Sequence, residues 1–296
     1  MIDPNNKLII IVGPTASGKT QLAVDLAQRY DGEIICADSR TIYRGMDIGT
    51  AKPTLVEQSL VPHHLLDILN PDQAFSAQEF KRQGEALIAD IQRRGKLPFI
   101  VGGTGLYAYA VAYDYQFPAG PRTAERAQLE QTPLAELVSR LQREDPERAA
   151  EIDLRNPRRV IRAIETVGQP RQQTAALLAN VCMLGLRPAM DTLNKNIIHR
   201  TRAMLQVGLV AEVQQIISKY GPDLEVLRSP GYAEIIDALS GKTSIEEAEV
   251  LINLHTRQLV KRQLTWFKRN PDICWLETSA DAEALVRSFL DTKLIG

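Results

Sequence analysis

Residues 13–20 read Gly13-Pro14-Thr15-Ala16-Ser17-Gly18-Lys19-Thr20, the G-x-x-x-x-G-K-[ST] pattern of a phosphate-binding loop. The flanks fit the motif. Leu8–Val12 is an unbroken aliphatic run that predicts a buried strand, and Lys19–Tyr30 predicts a helix with Leu22, Leu26 and Tyr30 on one face. The glycines let backbone N–H groups curl around an anion, and the helix N-terminus adds roughly half a positive charge. Lys19 is expected to reach the terminal phosphate and the Thr20 hydroxyl to hold Mg²⁺. The loop therefore predicts a diphosphate or triphosphate site without specifying ATP.

Outward from the loop the rhythm is strand, helix, strand. Glu33–Ala37 and Leu97–Val101 predict two more buried strands, and Ser76-Ala77-Gln78-Glu79 predicts a capping box opening a helix that Gly95 stops. Continuous apolar strands separated by helices predict an α/β fold, a P-loop NTPase-like parallel sheet with helices on both faces. After about Tyr113 the rhythm changes. Thr132-Pro133, Asp145-Pro146 and Asn156-Pro157 each set a capping residue before a proline at a first helical position, with no strand between. This predicts an all-helical insert at 114–180 between core segments 1–113 and 181–296. Val181–Leu186 and Ile273–Leu276 read as strands, and Ser244 opens a long helix to about Phe267.

The whole-chain balance suits a soluble enzyme. The chain has 296 residues, 44% apolar and 24% charged, enough for a real core without covalent staples. Leu8–Val12 is too short for a membrane span or a signal peptide, so no membrane partner is expected. Cys36, Cys182 and Cys274 lie too far apart in sequence for a metal clip or a disulfide framework, which predicts a reducing, cytoplasmic setting. No heptads demand a partner, and a monomer is expected. The net charge of −1 hides two basic stripes: Arg155, Arg158, Arg159, Arg162 and Arg171, and Arg257, Lys261, Arg262, Lys268 and Arg269. They are read as either solvated helix faces or a nucleic-acid footprint.

A nucleoside triphosphatase would place an acid at the end of a buried strand, but Leu97–Val101 runs into Gly102-Gly103-Thr104-Gly105. Those glycines are expected to allow a second close backbone approach to an anion. A guanine motif is also missing, since Asn194-Lys195-Asn196-Ile197 lacks its aspartate. Asp38 follows the Glu33–Ala37 strand, and ligands in open parallel sheets sit at strand carboxyl ends. It is a candidate base or metal partner; the alternative is a turn cap in Asp38-Ser39-Arg40.

In combination these residues resemble the tRNA dimethylallyltransferase (tRNA isopentenyltransferase) family along nearly the whole chain. The resemblance rests on the phosphate loop, Asp38-Ser39-Arg40-Thr41-Ile42-Tyr43, Ile48-Gly49-Thr50-Ala51-Lys52-Pro53, Pro62-His63-His64-Leu65-Leu66-Asp67 and Gly102-Gly103-Thr104-Gly105-Leu106-Tyr107. Asn156-Pro157-Arg158-Arg159, Gly231-Tyr232 and Lys261-Arg262-Gln263-Leu264-Thr265-Trp266 add to it. The resemblance implies transfer of the dimethylallyl group from dimethylallyl diphosphate to N6 of adenosine 37 in the anticodon stem-loop of tRNA, with Mg²⁺ and release of diphosphate. It implies Asp38 as base, Thr104 and Arg126 at the reacting site, and Arg200 on the diphosphate beside residues 13–20. It further implies tRNA contacts from Asp38, Ser39, Arg40, Thr41, Arg158, Arg159, Arg162, Gly231 and Tyr232. The chain departs from the family pattern at Pro230, Ala233 and Asn196, where an arginine is frequent. Trp266 is expected to pack in the core rather than stack on a base, and His63 and His64 are not expected to bind metal. Three other readings compete: an adenylate isopentenyltransferase acting on free nucleotide, a P-loop small-molecule kinase, and a non-enzymatic RNA-binding sensor.

Overall fold

The computed structural model describes residues 6–117, 123–169, 176–276 and 279–292. The chain forms two compact units, Met1–Asp114 with Ala175–Gly296, and Tyr115–Thr174.

In the first unit the elements are β1 (Leu8–Val12), α1 (Lys19–Arg29), β2 (Gly32–Cys36), α2 (Leu55–Leu60), β3 (His63–His64), α3 (Ala77–Arg93), β4 (Leu97–Gly102) and α4 (Gly105–Ala112). The second unit supplies α5 (Thr123–Gln131), α6 (Leu134–Glu144), α7 (Pro146–Glu151) and α8 (Pro157–Glu165). The first then resumes with β5 (Val181–Leu186), α9 (Met190–Gln206), α10 (Leu209–Tyr220), α11 (Tyr232–Leu239), α12 (Ile245–Phe267), β6 (Cys274–Leu276) and α13 (Ser279–Asp291).

The six strands are all parallel in the order β3-β2-β4-β1-β5-β6. Every residue of β1 is buried, because helices cover both faces, as in other parallel sheets. Ile9 and Ile11 share one core with Leu22 and Leu26 of α1 and with Ala282 and Val286 of α13. On the other face α3 and α4 pack against β4, and α4 also meets β1. A second core joins Ile42, Tyr43 and Met46, from the segment after β2, to α10–α12 through Leu209, Val213, Ile235 and Ile252.

The predicted strands are present, and β3 adds one that the sequence reading missed. It has two residues, paired with Ile34 and Ile35, too few to show a hydropathy pattern. The Ser244–Glu247 capping box forms fully, but the Ser76 box forms by half. Ser76 Oγ accepts from Glu79 N, whereas the Glu79 carboxylate goes to Arg82 and Gln83. Asp145 and Asn156 cap α7 and α8 ahead of their prolines as expected. Thr132 does not cap α6. Pro133 holds the cap position, and the Thr132 hydroxyl donates back to Gln128 O, closing α5 instead.

The second unit has its own core of Leu129, Leu137, Leu141, Val160, Ile161 and Ile164. The fully enclosed Glu165 side chain accepts from Arg126 at 2.8 Å and from Arg162 at 3.2 Å. Arg171, part of the basic stripe seen in the sequence, lies outside the described residues.

Strands β2 and β4 approach so closely at their carboxyl ends that a Cβ on Gly102 would lie 1.9 Å from Ala37 O. Backbone cannot yield there without prising the two strand ends apart. Gly102→Ala should therefore lower stability in urea denaturation by about 2 kcal/mol or more, in the upper part of the usual overpacking range. A change under about 0.5 kcal/mol would contradict this packing.

Candidate active site

The strand ends, the phosphate loop and α9 enclose a cavity of about 310 Å³. Residues 15–20 form one wall, and Asp38, Thr41, Gly102, Gly103, Arg200 and Gln263 face it. Gly13 and Pro14 lie at the buried root of the loop, which turns into α1 at Gly18 with a left-handed φ of 88°. Ala16 also adopts positive φ, 63°, and its carbonyl accepts from the Asn196 amide at 3.0 Å. Asn196, one of the departures from the family pattern, thus braces the loop.

Lys19 Nζ donates to Pro14 O at 2.6 Å. Burial pulls the Lys19 ammonium down to about 8; Asp38 opposes that fall and Arg200 adds to it. Burial also lowers the Arg200 pKa, again against the pull of Asp38. Two cations and one carboxylate therefore share one half-buried space at the N-terminus of α1. Ser17 and Thr41, each only 6% exposed, bring hydroxyls with no hydrogen-bond partner to the cavity wall. A hydroxyl buried in this way costs about 1–3 kcal/mol.

Asp38 caps its own turn and also lines the cavity. Its Oδ1 accepts from Arg40 N at 2.8 Å as a turn cap, while the carboxylate lines the cavity. Thr104 supports that turn: its Oγ1 accepts from Ser39 N at 3.1 Å and its N–H donates to Ala37 O at 3.2 Å. The Arg40 guanidinium donates to Ser39 O at 3.2 Å.

Several expected roles are corrected. Gly231 and Tyr232 are buried, Tyr232 to 1% exposure, rather than presented at the surface. The Tyr232 hydroxyl donates to Glu212 at 2.7 Å, and the Glu212 carboxylate also accepts from Asp47, Ile48 and Gly49 N–H at 2.7–3.0 Å. Gly49 is required here because a Cβ would fall 2.5 Å from the Tyr232 ring. This nest, with Lys52 bonded to Asp47, Asp67 and Tyr43 O, fixes the 46–53 segment whose Thr50, Ala51 and Pro53 line the cavity. Thr41 is enclosed in the cavity wall rather than presented at the surface.

The 102–105 run serves close packing more than anion approach. Gln263 fills the space beside Gly103, and Trp266 that beside Gly105. Trp266 is 42% exposed, not core, with its ring near-parallel to Tyr109 at 6.1 Å. Arg126 lies in the helical unit, paired with Glu130 and Glu165. Arg158 and Arg159 are exposed on α8 and Arg162 is half-buried. His64 pairs with Glu33, which the Arg94 guanidinium holds down at about 2. Among the described residues, no three His, Cys, Asp or Glu side chains are placed to hold a metal ion, and no helix is long and apolar enough to cross a membrane. Thr20 and Asp38 beside the loop suit Mg²⁺, which takes one or two protein ligands and completes its shell with phosphate oxygens and water.

Known proteins are similar to this chain along most of its length. The IPP transferase family model matches residues 41–270, and an isopentenyl transferase model matches 6–67. The chain belongs to the IPP transferase family. It is 43% identical over 293 residues to a tRNA dimethylallyltransferase 2 of Geotalea uraniireducens, covering 94% of each chain. A full-length tRNA isopentenylpyrophosphate transferase from Bacillus halodurans superposes with TM-score 0.75 and 37% identity, covering 97% of this chain and 98% of that one. A eukaryotic dimethylallyltransferase solved acting on tRNA gives TM-score 0.82 at 26% identity, covering 98% and 81%.

The depressed Lys19 pKa has a sign that can be checked. Without an anion beside it, Lys19 is mostly neutral at pH 9; a bound diphosphate restores its charge, so binding takes up roughly one proton there. Dimethylallyl diphosphate, with its last ionisation near pH 6 as in other phosphate monoesters, brings no proton of its own. Its affinity should fall as pH rises through 8. Calorimetry at pH 9 in two buffers of different ionisation heat should report the uptake, and Lys19→Arg should abolish it. Equal uptake by both proteins would contradict the assignment to Lys19.

Proposed function

We propose that the chain transfers the dimethylallyl group of dimethylallyl diphosphate to the N6 amine of adenosine 37 in tRNA, beside the anticodon, and releases diphosphate. The observation that carries this reading is the sharing of one cavity by Asp38 and the phosphate loop with Lys19 and Arg200. A kinase needs its cations on a phosphoryl donor. Here they share a cavity with the Asp38 carboxylate, and Leu97–Val101 carries no acid to hold a phosphoryl donor's metal.

The backbone N–H groups of residues 16–20, Lys19 and Arg200 hold the donor's diphosphate. Thr20, with Asp38 nearby, would hold Mg²⁺ against the phosphate oxygens, where it supplies charge neutralisation for the leaving group. The bond between the allylic carbon and the diphosphate oxygen breaks, and its electron pair leaves with the diphosphate. Charge developing there meets donors already in place. Positive charge on the allylic carbon is sheltered by the apolar wall of Ala23, Ile34, Ala51, Pro53 and Val101. The N6 lone pair closes the new bond. Its proton passes to Asp38, because an amine delocalised into a purine ring is a poor nucleophile until deprotonated.

A base in a single-stranded loop is extruded at a cost of roughly a few kcal/mol. Ser39 and Arg40, next to Asp38, are positioned to meet its neighbours. Arg158, Arg159 and Arg162 of α8 and the exposed Lys261, Arg262, Lys268 and Arg269 suit the phosphates of an anticodon stem. The protein acts as a monomer in this reading.

Incubation with dimethylallyl diphosphate, Mg²⁺ and an adenosine-containing anticodon stem-loop should add one five-carbon prenyl unit to the RNA by mass spectrometry. Asp38→Asn should slow the transfer at least ~10²-fold, as for loss of a positioned base, while binding the stem-loop nearly as well. Prenylation of free AMP in preference to the stem-loop would favour an adenylate isopentenyltransferase. An undiminished rate in Asp38→Asn would remove the carboxylate from the chemistry.

A further inference from the structure

Gln263 lies on α12, 248 positions from the phosphate loop, yet it joins that loop to the Asp38 turn. Its Oε1 accepts from Thr15 N at 2.9 Å, and its Nε2 donates to Gly103 O at 3.0 Å. The connection continues through the next residue. Thr104 N donates to Ala37 O, and Thr104 Oγ1 accepts from Ser39 N at 3.1 Å. Arg40 N then donates to Asp38 Oδ1 at 2.8 Å. A hydrogen-bonded path thus runs from an amide of the phosphate loop to the carboxylate read as the base, with one side-chain amide at its centre.

The amide is held tightly on both sides. Val260, Leu264 and Phe267 are buried on the same helix and fix its turn against the sheet unit. A Cβ on Gly103 would lie 2.5 Å from Gln263 Nε2, so the glycine is what admits the side chain. A primary amide carries an acceptor oxygen and a donor nitrogen in one fixed plane, and here each engages a different loop. A shift of the phosphate loop on an anion changes the Thr15 bond and, through the planar amide, the bond to Gly103.

We propose that Gln263 is a positioning residue that couples the two substrate sites, so that occupation of the phosphate loop by diphosphate tightens the grip of the Asp38 turn on RNA. The coupling is reciprocal by linkage: RNA bound at the turn raises diphosphate affinity by the same factor. The inference rests on the function proposed above, because it assigns diphosphate to one end of the path and RNA to the other.

The test measures binding of a labelled anticodon stem-loop to the full chain by fluorescence anisotropy, with and without saturating inorganic diphosphate and Mg²⁺. For the wild type, diphosphate should tighten RNA binding by about fivefold or more, the lower end of ordinary coupling. Gln263→Met keeps the packing but removes both bonds, and should bring the ratio to within about twofold of one. Gly103→Ala pushes the amide aside without altering Gln263 itself and should do the same, so the test survives if either variant fails to fold. In the double variant Gly103→Ala/Gln263→Ala, the added methyl meets no amide and should change nothing beyond Gln263→Ala alone, a non-additivity that local damage would not produce. An unchanged ratio in folded Gln263→Met and Gly103→Ala, or a wild-type ratio of one, overturns the coupling while leaving the proposed function standing. Failure of the wild type to bind either ligand overturns both.

Discussion

Lys19 and Arg200 pull toward the same carboxylate, Asp38, inside a half-buried space where the amides of α1 also point. This juxtaposition is what the rest of the structure serves. Burial out of water is the main reason the Lys19 ammonium is weakened, with the Arg200 charge adding to it, and an arriving anion would restore it. An anion bound there would neutralise both cations, with the Asp38 carboxylate beside it.

Holding that arrangement takes several distant devices. The order β3-β2-β4-β1-β5-β6 sets the ends of β1, β2 and β4 side by side, bringing the phosphate loop, Asp38 and Gly102-Gly103 to one rim. The cavity's other wall is fixed from α10 and α11, where Glu212 spends its buried carboxylate on three backbone amides and a phenol. Such charge-assisted bonds are roughly twice as strong as neutral ones and hold a loop that has little regular structure of its own. Glu234 repeats the device nearby, accepting from Gly231 N at 2.7 Å and from His255.

What could be read from sequence was whatever is encoded by near neighbours. The phosphate loop, the strand β1, the Ser244 cap and the placement of Asp38 after β2 all depend on residues within a few positions, and all are found in the structure. The basic face of α8 was legible as charge, because its arginines lie within five positions of one another. What was misread depends on distant contacts. Tyr232 follows a glycine in a polar-looking loop, and only Glu212, twenty positions earlier, reveals that it is buried. Trp266 looked like core by residue type, but Gly105 gives it a shelf at the surface instead of a pocket. The glycines at 102–105 suggested an anion, whereas Ala37, Gln263 and Trp266 occupy the space they leave. Gln263 stood in the sequence only as one residue of the Lys261–Trp266 stretch, with no role of its own. Its meaning comes from Thr15 and Gly103, which the fold delivers to it.

The central claim is that the cradle grips a leaving group, so the bond broken is carbon to oxygen and not phosphorus to oxygen. Dimethylallyl diphosphate carrying oxygen-18 in the bridging position between carbon and phosphorus distinguishes the two directly. Phosphorus NMR of the products formed with the stem-loop should find the heavy isotope in the released diphosphate. Recovery of the label in a five-carbon alcohol, with phosphate transferred elsewhere, would contradict the account.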